Sequence, residues 1–109
     1  MELNAYRIMW VFVFFDLPTE TIKNRKDAQR FRKNLLKDGF TMMQFSVYMR
    51  HCASSESVDV HETRVKKLLP PLGKVSILRI TDKQFGNIMN YWGKTAQPSM
   101  PQPTQLELF

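Results

Sequence analysis

Few side chains in this 109-residue chain can act as acid, base, nucleophile or metal ligand: one cysteine, two histidines and ten carboxylates. Asp16 stands apart from the other acids because it closes an apolar run, R-I-M-W-V-F-V-F-F-D-L-P, from Arg7 to Pro18. A strand places its last residue at a fixed point on a sheet end, so this acid is delivered, not scattered. Two readings of it stand. As a turn aspartate it would cap the Thr19–Ile22 segment. As a metal ligand it would suit Mg²⁺, which takes one or two carboxylates together with waters and substrate phosphate. A single carboxylate is thin for that role. A two-fold axis bringing two copies of Asp16 together would give a symmetric pair able to hold a metal and orient water on a phosphodiester.

Other chemistries fare worse. His51 and Cys52 are adjacent on a predicted strand, so their side chains point to opposite faces and form no Cys-His dyad. The single Cys52 excludes an internal disulfide framework and a cysteine-rich zinc site, and a reducing, cytoplasmic home is expected. His61 falls near the inner face of a predicted helix and reads as a core or interface residue. The sequence holds no P-loop, no dinucleotide fingerprint and no serine nucleophile elbow. Tyr48 and Phe45 could stack on bases, but strand aromatics are more often core, and the glycine-aromatic signature of single-strand RNA readers is missing.

The formal net charge of +6 points towards polyanions or acidic protein surfaces. Most of it sits in one predicted helix, from about Ile22 to Asp38, where seven basic residues face two acidic ones and supply +5 of the +6. Ala28, Phe31 and Leu35 fall on one face of that helix. Lys23, Lys26, Arg30, Lys33 and Lys37 repeat on the opposite face, and Arg25 and Arg32 flank the seam. An ordinary solvated face and a phosphate-binding stripe both fit. The scarcity of acids at helical spacing favours the stripe.

The run that carries Asp16 is apolar on both faces, with Met9, Val11, Val13 and Phe15 on one side and Ile8, Trp10, Phe12 and Phe14 on the other. It reads as a central strand, too short to span a bilayer. Gly39 ends the basic helix. Two short strands are expected at Phe40–Met43 and Phe45–His51, with Gln44 near the change of direction. A second helix follows from about Val58 to Leu69, with Val58, Val65, Leu68 and Leu69 inward. Pro70 and Pro71 stop it, and a last core strand spans Lys74–Thr81. Asp82–Trp92 reads as a short helix packing Phe85, Ile88, Met89 and Trp92 inward. Gly93–Pro103 reads as an extended linker, and the tail at Leu106 and Leu108 as strand-like.

The order β-α-β-β-α-β predicts an α+β, ferredoxin-like sandwich with both helices on one face of a four-stranded antiparallel sheet. The expected organisation is a domain over residues 1–95 and a linker with a C-terminal interface strand over 96–109. Trp10, Phe12 and Phe14 on the uncovered face would leave a large apolar patch, so a homodimer is expected, with Trp10, Phe12, Leu106 and Leu108 at its interface. Asp16 should lie near Gln44, Phe45 and Ser46, and close to the start of the basic helix. Arg50, His51 and Asp82 belong at the opposite end.

With V-F-F-D-L-P (Val13–Pro18), L-L-K-D-G-F (Leu35–Phe40), Q-F-S-V-Y (Gln44–Tyr48) and T-D-K-Q-F (Thr81–Phe85) in this order, the chain resembles the small core protein of CRISPR adaptation, the Cas-two family, in its type II-system form. The resemblance implies a homodimer whose C-terminal strand pairs across the interface. It implies a spacer-acquisition role, in which the dimer bridges two dimers of the integrase subunit and helps hold protospacer DNA. It also implies Mg²⁺-dependent nuclease activity on single-stranded RNA or on DNA, with Asp16 at the family's metal-binding aspartate. Arg25 and Tyr48 sit where some members carry residues tied to that activity. The chain departs at Met42–Met43, where several members carry an arginine. A toxin-type endoribonuclease of the same fold is the alternative.

Overall fold

A computed structural model describes residues 8–97. Four strands, β1 (Met9–Asp16), β2 (Thr41–Gln44), β3 (Val47–Cys52) and β4 (Lys74–Thr81), form one sheet in the order β2-β3-β1-β4. Every neighbouring pair is antiparallel. Two helices, α1 (Ile22–Lys37) and α2 (Ser55–Lys67), complete the β-α-β-β-α-β order of a ferredoxin-like fold. Both cover the same face. Val11, Val13 and Phe15 of β1 pack there against Phe31 and Leu35 of α1 and Val58 and Val65 of α2. The three inward positions expected of α1, Ala28, Phe31 and Leu35, are all buried.

Local signals start and stop these elements. The Thr21 hydroxyl accepts from the Asn24 amide at the start of α1, and Ser54 does the same for Ser57 at the start of α2. Beyond α1, Gly39 adopts φ +89°, the left-handed conformation that ends helices. A Cβ there would also run into the Arg50 guanidinium. The two middle strands are displaced by a residue or two from their expected bounds. A bulge between Met42 and Gln44 shifts the register, which no turn dipeptide announces. Helix α2 begins at Ser55, and Leu69 lies exposed beyond its end.

The second face of the sheet is where sequence and structure part. The expected helix over Asp82–Trp92 is only α3 (Asp82–Gly86), held at its start by a reciprocal capping box between Thr81 and Gln84. It ends at Gly86-Asn87, poor helix formers, and a hairpin follows: β5 (Asn90–Trp92) and β6 (Thr95–Gln97). Met89, expected inward, is 70% exposed. The segment expected to be linker thus opens with paired backbone that continues past residue 95. Helix α3 folds back onto β1. Phe85 is fully buried against Phe12 and Met49, and its ring stacks on Trp10 with centroids 3.8 Å apart. The Trp10 indole N–H donates to Asp82 Oδ1 at 2.7 Å, and the Asp82 amide donates to the Ile8 carbonyl. Half of the face left bare in the sequence reading is therefore closed by the chain itself.

A polar network ties the ends of α1 and α2 to the sheet. Asp38 Oδ2 meets His61 Nδ1 at 2.7 Å, Asp38 Oδ1 accepts from Arg64 at 2.8 Å, and Arg50 Nε donates to His61 Nε2 at 2.8 Å. Arginine can only donate, so His61 Nε2 holds a lone pair and the ring's proton sits on Nδ1, facing Asp38. The inner-face position expected of His61 is correct; its partners lie 11 and 23 residues away and carry no local signal. On the other side of α2, Arg79 of β4 reaches Glu62 and Asp59.

Burial alone would raise the Asp38 carboxyl, but the hydrogen bonds from His61 and Arg64 outweigh it and hold it below the usual carboxylate range. Stability from this source is complete above the ordinary carboxylate pKa of about 4 and is lost as pH falls through the lower folded value. Asp38→Asn is expected to destabilise the fold by about 2–3 kcal/mol near neutral pH. In urea titrations the gap to wild type should close on acidification below about pH 4; a gap independent of pH would show that the charge of Asp38 does not matter.

Candidate functional site

Asp16 ends β1 with an exposed side chain. It lies beside Ser46, as expected: the Phe15 amide donates to the Ser46 carbonyl at 3.0 Å. Across the other neighbour it stands opposite Lys74. Asp16 shares its face of the sheet with Phe12 and Phe14, the face without helices. There it lines an open depression of about 330 Å³ with Phe14, Phe15, Ser46, Val47, Lys74 and Ser76. No residue of α1 lines it. The expectation placed only the start of the basic helix near this acid; α1 begins six residues after it, and the body of α1 packs on the far side of the sheet.

The opposite end of the sheet holds what was assigned to it. Trp10 pairs with His51 in register and binds Asp82, well away from Asp16. His51 is exposed and meets Trp10 edge to face, while Cys52 is buried among the helix-side residues, so the two point apart. Burial pushes the Cys52 thiol up, away from thiolate character. Among the described residues no three His, Cys, Asp or Glu side chains gather as a metal site.

The basic residues of α1 divide into two sets. Asp27 takes Lys23 at 3.1 Å and Arg30 at 3.7 Å, at i,i+4 and i,i+3 spacing. The sequence does carry that signal, and the stripe is less free of acids than its composition implies. Arg25 turns back to the Thr19 carbonyl at 2.9 Å, closing the loop that leads from Asp16 into the helix. Lys26 and Lys33 are exposed, and among the described residues neither has a carboxylate within ion-pair distance. Tyr48 is buried beside Phe15 in the helix-side core, so its ring is not available to stack on a base. The turn between β2 and β3 does carry an exposed aromatic, Phe45, 69% accessible. Phe45 carries the Arg32 guanidinium 4.2 Å from its ring centroid, and Phe15 lies 5.6 Å from the same group. Sequence reading left Arg32 on the seam; its role is to clamp the turn beside Asp16.

Of the residues assigned to a subunit interface, Phe12 is already buried by Phe85 and forms the floor of an apolar groove, and Trp10 is stacked within the chain. The exposed walls of that groove are Phe14 and Leu78, 37% and 48% accessible. Leu106 and Leu108 lie outside the described residues. Among the described residues no helix is long and apolar enough to cross a membrane.

Fold and site together define the class: a ferredoxin-like α+β domain that presents one carboxylate at the end of its central strand. Residues 9–88 match the family described as CRISPR associated protein Cas2. A CRISPR-associated endoribonuclease Cas2 of Flavobacterium psychrophilum is 53% identical over 108 residues, which cover 99% of this chain and 94% of that protein. One of Parvibaculum lavamentivorans is 57% identical over 101 residues, 93% of this chain and 100% of that protein. A third, of Paracidovorax avenae, is 46% identical over 107 residues, 98% and 99% of the two. The chain belongs to the Cas2 family.

A thiol buried and raised in this way should resist alkylation. Iodoacetamide near neutral pH is expected to leave Cys52 unmodified in the folded protein and to label it fully in denaturant, read by intact mass. Rapid labelling of the folded chain would mean that the core around Cys52 opens.

Proposed function

We propose that this chain is a CRISPR adaptation protein that works as a homodimer, bridging integrase dimers and binding protospacer DNA. We propose in addition that it is a Mg²⁺-dependent endonuclease acting at Asp16 on single-stranded RNA or DNA. The name endoribonuclease carried by the relatives supports the RNA substrate. The observation that carries the reading is the position of Asp16 next to the uncovered half of the sheet. The apolar groove, about 470 Å³, and the Asp16 depression share Phe14 and Val47 as a common wall. A second copy seated on the groove would hide Phe14 and Leu78 and bring two Asp16 side chains towards one axis.

The oxygen donors suit a hard cation: an exposed carboxylate and two serine hydroxyls, with the Lys74 ammonium across from the acid and no sulfur or imidazole in the depression. Asp16 from each copy would hold the ion, with water and substrate phosphate filling the remaining positions. When bound, Mg²⁺ would supply neutralisation of phosphate charge and activation of water. Lys26, Arg30 and Lys33 on the far side of the sheet offer a separate track for duplex phosphates. The two activities then occupy two faces of the domain.

Asp16→Asn separates them. Cleavage of single-stranded RNA in Mg²⁺ is expected to vanish while dimerisation, DNA binding and pull-down with the integrase subunit survive. Cleavage undiminished in Asp16→Asn would sink the nuclease reading. The combined Lys26→Ala, Arg30→Ala and Lys33→Ala variant should weaken duplex binding and lower the slope of log K against log salt by roughly 0.9 per lost contact. An unchanged slope would return α1 to an ordinary solvated face.

A further inference from the structure

The Asp16 depression raises a difficulty that the basic helix does not solve. An exposed carboxylate repels a phosphodiester, and α1 lies across the sheet from it. Without a bound metal, only a cation on the same face can offset that repulsion. Lys74 supplies one. It is the cross-strand partner of Asp16 in the β1–β4 register, and partners in register share a face. Both line the depression, yet among the described residues no carboxylate, Asp16 included, stands within ion-pair distance of Lys74. Its three N–H donors are open to an incoming acceptor. Ser76, two residues along β4 and on the same face, lines the depression beside it.

This placement is fixed by main chain. Gly73, at φ +98°, precedes Lys74 in a conformation that favours glycine. A Cβ on it would lie 2.8 Å from the Asp16 carbonyl oxygen and 2.7 Å from Leu17 Cδ2. The start of β4 therefore lies directly on the Asp16–Leu17 backbone, and the absence of a side chain at Gly73 sets how close Lys74 comes to the acid.

We propose that Lys74 is a substrate-binding residue: its ammonium, with the Ser76 hydroxyl beside it, holds a phosphate of the single strand presented to Asp16. The assignment rests on the nuclease reading of Asp16 for its purpose, but its binding role can be measured without cleavage. The depression, at about 330 Å³, is of the size that takes one nucleotide unit. The ligand class is a phosphodiester strand, and each copy of the chain would contribute one contact.

The test is binding of a fluorescent single-stranded oligonucleotide in Mg²⁺-free, chelator-containing buffer, over a salt series, followed by cleavage kinetics in Mg²⁺. Lys74→Ala is expected to weaken binding about fivefold and to make the salt slope shallower by roughly 0.7. Lys74→Arg should keep both, and Asp16→Asn should bind at least as tightly as wild type. In Mg²⁺, Lys74→Ala should raise KM with kcat retained. Wild-type affinity and salt slope in Lys74→Ala would overturn the assignment, whatever Asp16→Asn does to cleavage. Full cleavage by Asp16→Asn would overturn the nuclease reading instead, with the chelator experiment still deciding Lys74. Competition by inorganic phosphate as strong as by the oligonucleotide would overturn the strand as ligand and leave a bare anion site.

Discussion

A strand that is apolar on both faces must be covered twice, and β1 imposes that requirement from the centre of the sheet. Its odd-numbered side chains are met by α1 and α2, which is the ordinary solution for this fold. Its even-numbered side chains are met only in part. Phe85, carried by a five-residue helix, covers Phe12 and Trp10 and leaves Phe14 at the rim. The boundary between covered and uncovered surface falls along β1 itself. The uncovered part is the part that ends in Asp16.

That division orders the rest of the molecule. The Trp10–Asp82 hydrogen bond and the Trp10–Phe85 stack close one end of the sheet, where His51 and Arg50 also lie. At the other end the chain leaves an acid, a lysine and two serines around an open depression. Charge is divided by layer as well. Lys26 and Lys33 lie on a helix outside the sheet, while Lys74 lies on the sheet's other face. A domain with cations on two opposite faces can meet two polyanions, or two stretches of one, without competition between them.

Much of this was legible from residue order. The unbroken apolar run of β1, the helical Ala28–Phe31–Leu35 spacing of α1 and the strand Lys74–Thr81 are each strong local signals, and each has the role its pattern indicates. The end of the sheet on which Asp16 lies followed from topology alone. What escaped reading has a common cause. Arg50, His61, Asp38 and Arg64 are individually ordinary, and only the fold brings each within 3 Å of the next. The close approach of Gly73 to Asp16 is likewise a contact between distant segments. Asp82–Gln97 was misread for a different reason: a single helical turn and a three-residue strand are too short for periodicity to decide, and Phe85 had to be seen in place to show which face it covers. The pairing of Lys23 and Arg30 with Asp27 is written in their i,i+4 and i,i+3 spacing, which a net charge does not convey.

The Arg32 clamp has a further consequence for how this protein responds to ionic strength. Its guanidinium lies against Phe15 and Phe45, and its Nε is buried with no hydrogen-bond partner among the described residues. Attraction between a partly desolvated cation and a ring face is screened far less by dissolved ions than contacts made by exposed lysines in water. The turn that borders Asp16 is thus fastened by a contact less open to screening than any that the exposed Lys26, Lys33 and Lys74 could make in water. Raising the salt is expected to weaken contacts made by the exposed lysines before it loosens this turn.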